Sequence, residues 1–211
     1  APVSVMAPEL QAKFPGIQTY QITGVDNPLS SGRMTLTPRG INVMLQKSGT
    51  TWFIDPVANN LYRAYRKPER SQKAFTCGVT GRPLHKSFTT PVAHQLYRTA
   101  GSLQVYRLAV AATAEYVDAV ADDDDSNGNA VTDTLGEIVT TINRVNEIYQ
   151  RDLGVQLELV ANNDKIIFDT DVTNDPYFGN TQNDPPNAGD LINQNQAVVD
   201  KNIGSSNYDV G

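Results

Sequence analysis

One cysteine, Cys77, and two histidines, His85 and His94, are the scarcest reactive side chains in these 211 residues. A single thiol forbids an internal disulfide, so the fold must rest on packing alone, and a lone thiol in an exported chain calls for an explanation. Neither histidine has a partner one helical turn away, which excludes a helix-borne pair of imidazole ligands. No apolar run approaches the roughly 18 to 20 residues of a membrane span. Positive charge is also short: 17 basic against 23 acidic side chains leave a net charge of −6. That balance disfavours nucleic acid as a partner and offers no basic face to a membrane. Lysine is sparse, Asn, Thr and Gln are abundant, and the chain opens on Ala1 rather than methionine, as expected of an exported, bacterial protein after loss of its signal.

What is present is a join between two periodicities. Leu135, Ile138, Val139, Ile142, Val145 and Tyr149 recur at steps of three and four, which predicts an amphipathic helix lying on a core. Glu137, Thr140, Asn143, Arg144 and Glu147 fall on its outward face. Thr134 followed by Glu137 has the spacing of a capping box and predicts the helix start. After the turn at Asp152-Leu153-Gly154, Val155, Leu157 and Leu159 alternate with Gln156 and Glu158, so the helix delivers the chain into a strand.

Upstream, residues 1–75 read as a small β-rich unit. Pro8 to Phe14 forms a helical turn, and then Arg33–Thr37, Ile41–Gln46, Thr51–Ile54 and Leu61–Arg66 make four short runs separated by turn residues. Such a pattern predicts an antiparallel meander with one face packed and one wet. Trp52, Phe53, Tyr62 and Tyr65 are expected in its core. Residues 76–102 lose all periodicity, contain Gly81-Arg82-Pro83 and Thr90-Pro91, and form the linker, with Arg82, Lys86 and Arg98 as basic cleavage sites. From residue 103 to 211 the order is strand (Tyr106, Leu108, Val110), helix, strand at 155–160, strand at 165–169, a long polar loop from Asp169 to Gly189, and a helix capped by Asp190 and stopped by Gly204. The expected class is α+β/α/β, a β-rich unit followed by an α/β layer.

The segment Asn143-Arg144-Val145-Asn146-Glu147-Ile148-Tyr149, its turn and strand, and Asn163-Asp164-Lys165-Ile166-Ile167-Phe168 resemble the first helix and following strands of reprolysin-type (M12B-type) metzincin metallopeptidases. Val105 to Thr113 is similar to the first strand of that catalytic domain. The resemblance runs from about residue 103 to the end. It implies a secreted zinc endopeptidase with peptide or protein substrates. Residues 1–75 then stand where a pro-domain would, and 103–211 are the upper, N-terminal part of the catalytic domain.

Within that resemblance Cys77-Gly78-Val79 looks like the cysteine switch of metzincin proenzymes, where a thiolate near the end of the pro-segment takes the fourth position on zinc and keeps out the water that would attack substrate. Gly78 lets the backbone lie close to a cleft, and Val79 completes the switch loop. Zinc itself, in relatives, is held by H-E-x-x-H-x-x-G-x-x-H. This chain lacks that motif, so its catalytic residues are none in this chain, and the expected partner is the remainder of its own catalytic domain. Calcium is the weaker candidate. Asp122 to Asp125 with Gly128 supply oxygen ligands but not the spacing that ends in a bidentate Glu, and Arg107 stands where some relatives carry a calcium-binding Glu.

The expected function is therefore the zymogen portion of a secreted zinc metalloendopeptidase held latent through Cys77. Two other readings remain: a non-catalytic extracellular binding or adhesion protein that uses the Asp169–Gly189 loop and the aromatic face, and a pro-domain fragment that inhibits a separate protease.

Overall fold

The computed structural model describes residues 1–27, 30–58, 60–66, 103–121, 129–169, 175–177 and 188–211. Its first half is α1 (Pro8–Lys13) followed by β1 (Gln18–Thr23), β2 (Ser31–Thr37), β3 (Gly40–Lys47), β4 (Thr50–Ala58) and β5 (Leu61–Arg66). The five strands form one antiparallel sheet in sequential order, β1 to β5. The meander is as expected except that it gains β1, which pairs Thr19 with Thr35 and Gln21 with Arg33. The second half holds β6 (Gln104–Leu108), α2 (Ala114–Val120), α3 (Ala130–Leu153), β7 (Val155–Leu159) and α4 (Ala188–Asn202). Here β6 and β7 pair in parallel, with Leu108 opposite Leu159. Parallel neighbours need a crossover, and the long α3 provides it.

Helix α3 starts five residues earlier than the spacing of Thr134 and Glu137 predicted. Asn129 is the N-cap, its side chain accepting from the Thr132 amide at 2.8 Å. Thr134 lies inside the helix, fully buried, with its hydroxyl unpartnered. The helix ends at Gly154, whose φ of 67° places it in the left-handed region where glycine is favoured. These assignments make opposite predictions for two substitutions. Asn129→Ala is expected to cost about 1 kcal/mol, the usual worth of an N-cap. Thr134→Val removes an unsatisfied buried hydroxyl and should be neutral or mildly stabilising. Urea unfolding midpoints compare them directly, and a larger loss at Thr134 would restore it as the cap.

The core gathers residues far apart in sequence. Leu135, Ile138, Val139 and Ile142 on one face of α3 pack with Leu108 and Leu159, and also with Val5, Met6, Leu10 and Ile17 from the N-terminal segment. Residues Val5 to Ala7 run along β7 as an added parallel strand: the Leu159 amide donates to Val5 O and the Ala7 amide to Leu159 O, both at 2.8 Å. On the far side, Asp209 and Val210 run along β6, with the Ala109 amide donating to Val210 O at 2.9 Å. The pair β6–β7 is thus flanked on both edges.

The opposite face of α3 is not the solvent face predicted for it. Thr140, Asn143 and Glu147 are each at most 5% exposed, because this face packs on β2. The approach is close: a Cβ on Gly136 would stand 3.2 Å from Thr37 Cγ2. The sheet meets the helix with its polar side, burying Arg33, Thr35 and Thr37, whereas Leu36, Ile41 and Trp52 on its other side remain more than a third exposed. The aromatic set is split accordingly. Phe53 stacks on Tyr65 with centroids 5.4 Å apart and receives the Arg144 guanidinium over its ring, while Trp52 and Tyr62 are exposed rather than in the core.

Two further expectations are corrected. Residues 163–166 form a 3₁₀ turn rather than part of a strand, and only Ile167 makes a bridge, to Ala112. Consecutive Ile166 and Ile167 are both buried, which a one-sided strand does not allow. Helix α4 begins at Ala188, so Asp190 lies in its first turn rather than before it.

Candidate functional site

The residues that carry the family resemblance converge on the junction of α3, β7 and β6, and buried asparagines hold it together. The Asn146 side chain closes a reciprocal pair with the backbone of Leu157, accepting from its amide and donating to its carbonyl, both at 2.8 Å. Asn163 does the same for Val110, at 2.8 and 3.0 Å. Each amide thereby acts as one rung of a β-ladder where no strand is available. Asn143, wholly buried, turns the other way and donates at 3.1 Å to Met34 O and to Thr35 Oγ1 on the sheet.

Beside it lies an ion pair. Arg33 Nε donates to Glu147 Oε2 at 2.9 Å, Ser31 Oγ donates to Glu147 Oε1 at 2.7 Å, and the Arg33 guanidinium also reaches Gln150. Arg33 is 2% and Glu147 5% exposed. Farther along, Arg144 pairs with Asp55 of β4, and Arg39 stands 3.6 Å from Glu137. Burial pushes the Glu137 carboxyl above its usual range, with the Arg39 charge opposing the shift.

At the other edge Arg107 projects from β6 and clamps Asp209, with guanidinium contacts of 2.7 and 3.1 Å, and donates to Ser206 O at 2.9 Å. These hydrogen bonds hold the Asp209 carboxyl down at about 2. The depressed value means that the Asp209 contribution to docking of 209–211 on β6 is present above the ordinary carboxylate range and is lost as pH falls through about 2. An NMR titration should place Asp209 near that value, and Arg107→Ala should return it to the ordinary range and loosen the Val210 pairing. An unshifted Asp209 would show that the clamp is absent in solution.

A largely apolar cleft of about 310 Å³ opens where β6 ends, lined in part by Val110, Ala112, Tyr116, Ile138, Ile142 and Leu191. The C-terminal ends of parallel strands are where α/β layers bind ligands. No carboxylate, imidazole or thiol lines it among the described residues. Tyr116 at its rim is raised by burial and by the charge of Glu137. Asp175 caps α2 from a distance, accepting from the Ala114 amide at 2.8 Å, and burial, with the Asp175 charge, drives the nearby Tyr177 phenol up to about 12.

The model of the metallopeptidase family M12B, reprolysin-like, matches residues 102–211. The chain belongs to this family. No curated protein and no solved structure matches it. Membership supports a metalloprotease-related function, and the family in general uses zinc. The described residues do not fit that metal: among them no group of three His, Cys, Asp or Glu could hold an ion. The whole sequence has only two histidines. The candidates Cys77, Gly78, Val79, Arg82, Lys86 and Arg98, with His85 and His94 and the acidic run Asp122–Asp125, lie outside the described residues, as does most of the Asp169–Gly189 loop. Among the described residues no helix is long and apolar enough to cross a membrane.

Reasoning from periodicity passed over Asn143, Asn146, Asn163, Glu147 and Arg33. Polar residues on an amphipathic helix default to the solvent face, and nothing in their spacing distinguishes a face that packs on a sheet from one that meets water.

Proposed function

We propose that this chain is the latent-form portion of a secreted zinc endopeptidase acting on peptides or proteins, in which residues 1–75 serve as pro-domain and 103–211 as the upper part of the catalytic domain. Cys77 supplies the thiolate that occupies zinc, Gly78 and Val79 shape its approach, and activation cleaves the linker within 76–102, at Arg82, Lys86 or Arg98. The zinc ligands and the general base are histidines and a glutamate that this chain does not supply. The observation that carries the reading is the family match to 102–211, with the only thiol of the sequence falling between the β-rich unit and the matched segment.

The test uses the enzyme carrying an H-E-x-x-H-x-x-G-x-x-H helix, identified by intact mass and peptide mapping of the natural material. Cys77→Ser is expected to degrade casein without prior cleavage, while the parent stays silent until its linker is processed. Equal latency of both proteins would remove the thiol from the mechanism. Absence of the histidine motif from the natural protein would remove the protease reading for this molecule.

A further inference from the structure

A pro-domain that leaves on cleavage should meet its enzyme through a surface each side can return to water. The N-terminal unit does not. Leu10 and Ile17 are wholly buried, and Val5 and Met6 are no more than 2% exposed, in the same cluster as Leu108, Leu135, Val139 and Leu159 of the matched segment. Removing residues 1–17 would open Leu135, Val139 and Leu159, each now fully buried, to solvent. It would also strip the outer edge of β7, where the Leu159 amide donates to Val5 O and the Leu159 carbonyl accepts from the Ala7 amide. An exposed apolar hollow beside a bare strand edge is a surface that native chains avoid. The sheet adds contacts that fix its orientation on α3, through Arg33–Glu147, Asn143–Thr35 and Arg144–Asp55.

We infer that the N-terminal unit and the matched segment stay together after the chain between them is cut, so that Cys77 departs only when two cuts flank it. The inference rests on the proposed role of 76–102 as activation linker and adds a second cut just before it, at Lys73. The topology makes the consequence strict. One cut at Lys86 leaves Cys77 on the N-terminal fragment; one cut at Lys73 leaves it on the C-terminal fragment. Both fragments remain in the same particle, and a tethered thiol keeps an effective concentration on the order of millimolar. Excision between Lys73 and Lys86 releases it as a small peptide. The sheet then acts as a permanent subunit of the mature enzyme rather than a discarded cover.

The test uses the full 211-residue chain with a site for a sequence-specific protease placed next to Lys73, next to Lys86, or at both. After a single cut, gel filtration is expected to give one peak containing both fragments by intact mass, and the Ala7 and Leu159 amides should keep their protection against hydrogen exchange. After both cuts the two large fragments should still co-elute, while the Cys77 peptide elutes alone. Separate elution of the large fragments after a single cut, or precipitation of one with the other left in solution, overturns the inference. A Leu10→Asp chain, checked for folding before cleavage, should separate on a single cut; if it does not fold uncut, that itself places Leu10 in the shared core, and the exchange measurement on the parent decides. None of these readouts needs activity, so failure of the latency reading, seen as Cys77→Ser without effect, is distinguishable from failure of retention.

Discussion

Glu147→Ala is expected to cost about 3–5 kcal/mol, because it leaves the Arg33 guanidinium buried without its counter-charge. For a chain of this size that corresponds to a fall in Tm of roughly 6–20 °C. The loss measures an uncompensated charge rather than the worth of the pair. Replacing both partners with apolar side chains of similar volume, Arg33→Met with Glu147→Leu, should recover most of it. Thermal unfolding of the parent, both single variants and the double variant supplies the cycle. A Glu147→Ala cost below about 1 kcal/mol would mean that water reaches the pair, and that β2 does not sit on α3 in solution.

Leu10→Ala is expected to cost about 2–5 kcal/mol, in the range of large-to-small changes at fully buried sites. The size of the loss matters less than its location. Leu10 is far from residues 103–211 in sequence yet packs in their core, so the substitution should lower one cooperative transition reported by both halves of the chain. The tryptophan band of the near-ultraviolet circular dichroism, which reports Trp52 in the sheet, and amide exchange at Leu159 can be followed separately. Two transitions, with only the sheet affected by Leu10→Ala, would show that the halves fold independently and that the N-terminal segment is not part of the α/β core.

The two experiments probe unlike halves of one interface. Residues 5–17 contribute apolar area and backbone pairing to β7, whereas the sheet contributes charges and amides to α3. Several polar atoms in this region, among them Asn42 Nδ2, Thr140 Oγ1 and Asn143 Oδ1, are buried without a partner. Each costs free energy, so the polar contacts fix orientation while the hydrophobic cluster holds the halves together.

Much of the second half was legible because its signals are local. The apolar stripe of α3, the glycine that ends it and the alternation of β7 are properties of neighbouring residues. The helix start was misplaced because Thr134 and Glu137 satisfy a spacing rule that Asn129 satisfies better in space. Helix α2 was missed because it is short and one of its caps is Asp175, supplied by a distant part of the chain. The strand expected at 165–169 is reduced to a bridge at Ile167 after a 3₁₀ turn, where the side chain of Asn163 ties the segment to Val110.

The candidate site shows the same division. The sequence by itself determined the composition limits, the metallopeptidase family, the α/β order after residue 103 and the lack of enough histidines for a zinc site, since each depends only on which residues are present and how they are spaced. Only the tertiary structure decided that the polar face of α3 is buried under the sheet, that Val5–Ala7 is an edge strand of the α/β layer, and that Arg107 is committed to Asp209. Periodicity reports that a helix has two unlike faces. It does not report what covers the polar one, because a buried hydrogen-bonding face and a hydrated one are written with the same residues.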